Sequence, residues 1–410
     1  MVLTAPAYLL LSLAGRDIRG PLGGDVDMVL SSWGRVDPAR PRDGRVITGD
    51  VGLAYVQGSL LDGRLVLRAG RHVSAGGAAR VTALDGVSGV ASLWRGLGAS
   101  AYAGMPVQPH FVLAPYDAVA GARLFYRWKL EAEVGTSVAH YTSQGRLFRQ
   151  DAGVDGRWVL HRTFTVGGFF LLSTATGTGA VLAQSGPPRQ VLLGERHLST
   201  KLASTTWNAA WPPLAEADLH ATWRPARPLT VALQYRRQSP DLYLSRASIF
   251  SVFGNERRDE VGGWSILRAG RRVSLTGDYY LLAGDAGPGQ RGGMRGSLHF
   301  DFIRRTTLST EVRFLSLQRN GYVQARAFGT QELLPGVSAT LDTDLYVFRK
   351  AINGQHVSYT TAATVGYEFL PGWQVLWSGG AGVTPWAHFQ LESMLRVSHS
   401  FSLHLGDHRS

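Results

Sequence analysis

Residues 121–142 follow a two-residue rhythm. Ala122, Leu124, Tyr126 and Trp128 fall on one side of the chain, and Arg123 and Arg127 fall on the other. After a tight reversal near Lys129 the apolar set continues through Leu130, Ala132, Val134 and Val138, and the polar set through Glu131, Glu133 and Ser137. Successive side chains of a strand point to opposite faces, so this pattern predicts a half-buried β-hairpin and excludes a helix. One face suits hydrocarbon and the other suits water.

The rhythm recurs almost to the C-terminus. It predicts strands over 25–36, 47–58, 65–71, 84–93, 97–105, 147–160 and 164–173, and further strands from 215 onward. The clearest begin at Val337, Val357, Trp373 and Phe389. Two stretches break it, 175–213 and 239–258, and both read as long loops at the mouth of a barrel or folded into it. Tight turns fall near residues 62, 95, 129, 161, 226, 270, 304, 333 and 371, and they alternate with longer or Gly-rich connections. That alternation predicts an all-β, transmembrane, antiparallel up-and-down β-barrel of about 18–20 strands, with both termini on the side of the short turns. Residues 25–410 form this barrel as a single domain. Residues 1–24 stand apart, with a short apolar run and small residues at Ser12 and Ala14, and read as a signal remnant, a plug element or an extra strand.

Composition agrees. The 410 residues include 50 glycines and 10% aromatics, and a mean hydropathy of -0.04 is too polar for helical spans of roughly 20 apolar residues. The absence of cysteine excludes disulfides and thiolate chemistry. A formal charge of +12 could attract nucleic acid, but the arginines gather in short reversals, at Arg95, Arg162, 224–227, 268–272 and 304–305. They therefore decorate one rim, facing anionic lipid or an acidic polymer, and no nucleic-acid motif is present. No nucleophile elbow, phosphate loop or zinc-protease motif occurs, so no enzyme activity is expected. The histidines are scattered, His399, His404 and His408 mark a tail, and no metal or cofactor is implied. The Gly-rich run 284–293 lacks the strand-to-helix context of a phosphate loop and reads as an outer loop.

In residues 65–107, the run LVLRAGRHV, then Arg80, LDGVSG and GLGASAYAGMPV resembles the alginate-export type of outer-membrane barrel. Gly70, Arg71, Arg80, Asp85, Gly86, Pro106 and Val107 match that pattern, and His72 departs from it. The resemblance implies a monomeric channel of about 18 strands for an anionic polysaccharide. It does not carry over a lumenal arginine cluster residue by residue.

The candidate pore-lining set follows from the polar face of each strand and, for the first three, from that resemblance. It comprises Arg71, Arg80, Asp85, Arg123, Arg127, Glu131, Glu133, Asp155, Arg157, Glu216, Asp218, Arg236, Glu311, Arg313, Arg326, Asp342, Asp344, Glu368, Glu392 and Arg396. Acids balance arginines in this set, so a zwitterionic lumen is expected whatever the net charge. The function these readings predict is a porin-like channel of the bacterial outer membrane, passing hydrophilic solutes or exporting a polysaccharide. Its surroundings would be outer-membrane lipid and lipopolysaccharide. The alternative is a barrel anchoring a larger envelope machine and contacting periplasmic proteins. A soluble β protein is disfavoured, because no propeller repeat is present and a soluble barrel of this size could not fill its interior.

Overall fold

The computed structural model describes residues 7–19, 25–36, 47–74, 77–78, 82–107, 118–129, 131–143, 146–175, 214–238, 258–284, 287–300 and 305–399. These residues form an up-and-down antiparallel sheet of 21 strands and contain no helix. The count exceeds the predicted 18–20 and is odd, because residues of the N-terminal segment form a strand of their own, Ala7–Arg19, paired with the next. The predicted loops 175–213 and 239–258 lie almost wholly outside the described residues, as do His404, His408 and Arg80.

The chain divides into two compact units. Unit 1 holds β1 (Ala7–Arg19), β2 (Asp25–Val36), β3 (Ile47–Leu60), β4 (Leu65–Ser74), β5 (Thr82–Trp94), β6 (Leu97–Pro106), β7 (Ala118–Trp128), β8 (Ala132–Ser143), nearly all of β9 (Arg146–His161), most of β10 (Phe164–Ala175) and the start of β11 (Leu214–Ala226). Unit 2 holds the rest of β11, nearly all of β12 (Leu229–Gln238), then β13 (Arg258–Ala269), β14 (Val273–Gly284), β15 (Gly289–Phe300), β16 (Thr306–Ser316), β17 (Gly321–Leu334), β18 (Val337–Ile352), β19 (Gln355–Leu370), β20 (Trp373–Thr384) and β21 (Ala387–His399).

Turn chemistry explains why neighbours in sequence become neighbours in the sheet. Arg95 and Gly96 both take positive φ (45° and 92°), as do Asn353 and Gly354 (51° and 83°). Two such residues in succession give the hairpin turn whose twist matches that of the strands. A side chain at Gly96 would also strike the Arg127 carbonyl. The Pro335-Gly336 and Pro371-Gly372 turns, with glycine φ of 80° and 81°, use proline's fixed φ and glycine's freedom instead. The contrast between short and long connections is confined to part of the chain. On the side opposite the tight turns, the links from β14 onward are also short, down to residues 353–354 and 385–386.

In both units, cross-strand register sorts the side chains into two faces. The apolar face of unit 1 carries Met28 opposite Val56, Ala122 opposite Val138, and Tyr126 opposite Val134. In unit 2 it carries Val261 opposite Leu281, Met294 opposite Val312, and Trp377 opposite Leu395. All of these apolar residues are exposed. An exposed apolar surface this extensive is not sustainable in water and calls for a lipid or protein covering. The opposite face of unit 1 holds a small core of Leu84, Tyr102, Val119, Ala139 and Tyr141 toward the ends of the strands away from the tight turns. A polar face with a packed core was not expected from a water-filled interior.

Candidate functional site: paired charges on the polar face

The polar face of unit 1 centres on Arg123. Period-2 alternation in β7 aims it away from Leu124, and register sets it beside Ser137 of β8. Its Nε donates to Asp155 Oδ1 at 3.1 Å and its terminal amino group to Asp155 Oδ2 and, at 2.8 Å, to Glu133 Oε1. Arg127 completes the chain by donating from Nε to Glu133 Oε2 at 2.9 Å. The glycine at 135 is what lets Arg123 lie flat, since a Cβ there would come within 2.7–2.9 Å of its guanidinium. Arg157 stands opposite Glu133 in register and is exposed. Glu131 is exposed in the β7–β8 turn.

Asp155 has a second role. It accepts the Ala78 N–H at 3.2 Å, a contact spanning 77 residues of sequence. A Cβ at Gly77 would overlap both the Asp155 carboxylate and the Arg123 side chain. Gly77 and Ala78, between β4 and β5, therefore lie against the polar face beside β9, and Ala78 is buried. Gly77–Ala78 thus lies over the polar face, a role read in the sequence for 175–213 or 239–258.

Arg149 and Asp151, two apart on β9, form a pair with bonds of 2.7 and 2.8 Å. Asp151 is 0% and Arg149 8% exposed. Ser173 Oγ accepts a further bond from Arg149 at 3.0 Å. Burying an ion pair is costly unless it is also hydrogen-bonded, which this one is.

On the polar face of unit 2, register aligns Arg295, Glu311, Arg326 and Asp344 across four adjacent strands, with alternating sign. Arg326 bonds Asp342 Oδ1 at 2.8 Å, Gln324 bonds Asp344 at 2.9 Å, and Arg313 bonds Glu311. At the end of the strands away from the tight turns, Glu260 is buried between Arg258 at 2.6 Å and Arg291 at 2.8 Å. Arg291 also lies 4.0 Å above the Tyr280 ring. Glu368, Glu392 and Arg396 occupy the same face, opposite Gln374, Gly380 and Leu376.

Two predicted residues are misplaced. Arg71 and Asp85 do form a two-bond pair at 2.7 Å each, with Asp50 as a third member at 2.8 Å, but not on the polar face. Arg71 lies between the exposed Leu67 and Val73 in the period of β4, and Asp85 faces Met105, 62% exposed. Their immediate neighbours His72 and Leu84 point the other way and are buried. The network therefore belongs to the apolar face, at strand ends away from the tight turns. There, mutual neutralisation and proximity to the strand ends make charge tolerable. Glu216 and Asp218 are half-buried on β11, alternating with buried Ala215 and Ala217, and Arg236 is exposed on β12.

Asp50, Arg149, Asp151, Arg258, Glu260, Arg291 and Arg295 were missing from the predicted set. The spacing of Arg149 with Asp151 and of Arg258 with Glu260 was a usable signal, because residues two apart on a strand share a face. Among the described residues, no group of His, Asp and Glu side chains is arranged to hold a metal. What the site offers is a set of fixed charges of both signs, with Glu133, Asp155, Asp151, Glu260, Glu311 and Asp342 held by arginines, along a face able to contact water. Such a surface can exchange hydrogen bonds with a passing polar solute without binding it as a bare charge.

No protein-family model and no curated sequence matches the chain. Among solved structures it is similar to the translocation pore of the P pilus usher PapC, with 10% identity, coverage of 96% of this chain and 90% of the other, and a TM-score of 0.43. It is similar to a BenF-like porin from Pseudomonas fluorescens, with 10% identity, 98% coverage of each chain and a TM-score of 0.41. It is also similar to OccK3 of Pseudomonas aeruginosa, with 12% identity, 97% and 94% coverage and a TM-score of 0.41.

Proposed function

We propose that the sheet closes into a barrel in the bacterial outer membrane and serves as a channel for hydrophilic solutes. The observation that supports this reading is the division into two faces, apolar side chains exposed on one and paired charges on the other, kept across both units. A lipid core requires every backbone polar group of a spanning segment to be paired, which an antiparallel sheet meets only when its edges are joined. The balance of Arg with Asp and Glu argues for weak ion selectivity. Arg71 and Asp85, which match in the local resemblance of residues 65–107 to alginate exporters, sit on the apolar face and do not favour an anionic polymer as cargo.

The packed cluster around Leu84 and Tyr102, with Gly77–Ala78 laid over Arg123, favours a second reading, a narrowed or closed barrel that anchors envelope proteins. Single-channel recording in planar bilayers separates the two. Stable steps of conductance with a cation-to-anion permeability ratio near one support the channel, and a folded barrel that conducts nothing leaves the anchor.

A further inference from the structure

At the tight-turn end of unit 1 lies a cavity of about 490 Å³ whose lining includes Arg64, Arg95, Arg127, Lys129, Trp94 and Phe125. It contains four cationic side chains and no acidic one. We propose that this cavity binds a multiply charged oxyanion of the phosphate class.

Three turns bring the cations together. The Ser92 N–H donates to the Arg64 carbonyl at 2.7 Å, tying the β3–β4 turn to β5. The Arg127 N–H donates to the Gly96 carbonyl at 2.8 Å, tying the β5–β6 turn to β7. Arg95 and Lys129 occupy left-handed positions, φ 45° and 50°, which fix where their side chains leave the backbone. Arg95 lies 4.7 Å above the Trp94 ring, so its guanidinium is oriented and not freely swinging. Phe125 is buried and supplies an apolar wall, which raises the worth of any charge contact made beside it.

The charge is not cancelled from within. Of the four cations only Arg127 has an acidic partner among the described residues, and Glu133 divides itself between Arg127 and Arg123. Elsewhere Arg123, Arg149, Arg258, Arg291, Arg313 and Arg326 each meet a carboxylate, so three cations without an acidic partner around one cavity stand out. Planar guanidinium groups match the oxygens of phosphate in pairs, and a lysine adds a mobile point charge. A single carboxylate would leave most of this charge unmatched. Phosphate chemistry could come from a soluble phosphorylated solute or from a phospholipid headgroup.

The test is calorimetric titration of the full chain, folded in detergent, with inorganic pyrophosphate at 50 and 300 mM salt. The comparison protein carries Arg64→Gln, Arg95→Asn and Lys129→Asn, with asparagine chosen because it tolerates the left-handed turn positions. Expected are saturable binding at one site, an affinity at least tenfold lower in the variant, and a clear loss at the higher salt. Should the triple variant fail to fold, the three single variants are each expected to weaken binding severalfold. Repeating the titration in nanodiscs identifies the source: competition by phosphatidylglycerol but not phosphatidylcholine assigns a lipid headgroup, and its absence assigns a soluble phosphate. No saturable binding to the unaltered chain, or equal affinity in the variants, overturns the site. Binding is read without current, so this outcome is independent of whether the protein conducts.

Discussion

Replacing Asp155 tests the link between the charge network and the inward-reaching connection. In Asp155→Ala, Arg123 loses both bonds to the carboxylate and Ala78 loses its acceptor. A hydrogen bond to a charged group contributes about 1.5–3 kcal/mol, and a buried donor left unpaired costs roughly 1–3 kcal/mol. Two facts reduce the total. Arg123 retains Glu133 at 2.8 Å, and the Arg123 and Asp155 side chains are 13% and 17% exposed, so water relieves part of the loss. The expected destabilisation is about 2–3 kcal/mol by these contributions. Asp155→Asn removes the charge but keeps an oxygen for the Ala78 N–H, and about 1 kcal/mol is expected from it. Urea unfolding of the detergent-folded protein, followed by tryptophan fluorescence, measures both. If the two variants unfold at the same urea concentration, Ala78 is not held by Asp155. If neither differs from the parent chain, the network does not stabilise the fold at all.

Three further outcomes follow from the same geometry. A Cβ at Gly153 would stand 2.5 Å from the Ala78 Cβ and 2.7 Å from the Phe170 carbonyl oxygen, so Gly153→Ala should force Ala78 aside and lower stability by about 1–3 kcal/mol, read by urea unfolding; an unchanged midpoint argues against the contact. Val134→Arg places a charge at an exposed apolar position and should cost on the order of 2–4 kcal/mol if that position is near mid-membrane, read as reduced folding yield into lipid vesicles, whereas Thr360→Arg, exposed on the polar face opposite Asp344, should fold far better than Val134→Arg; equal yields would contradict the assignment of faces. Arg326→Gln breaks a pair whose members are 41% and 31% exposed, so stability should fall by no more than about 1 kcal/mol while reversal-potential measurements shift toward cations; an unchanged potential would remove Arg326 from the conduction path.

The strands were legible because a period of two is written directly into side-chain polarity, and 121–142 folds as that pattern demands. The strand count was less so. Setting residues 1–24 apart from the barrel left a strand there as one of three readings, while the segment's own alternation, with Leu9, Leu11 and Leu13 on one side, already described one. Charges on the polar face were legible singly, but their partners were not, since Arg123 and Asp155 meet across two strands whose register no local pattern specifies. Arg71 and Asp85 show the limit most clearly. Their face was misjudged because the resemblance of residues 65–107, and not the period of their strands, put them in the pore-lining set. Period alone would have placed them correctly: Arg71 is an even number of positions from Leu67 and Val73, and Asp85 two from Val87. Where charge and periodicity disagree at a strand end, periodicity decides the face, because reversing one side chain would require reversing every residue hydrogen-bonded in register with it. The charge is then accommodated locally, here by closing Arg71 between Asp50 and Asp85.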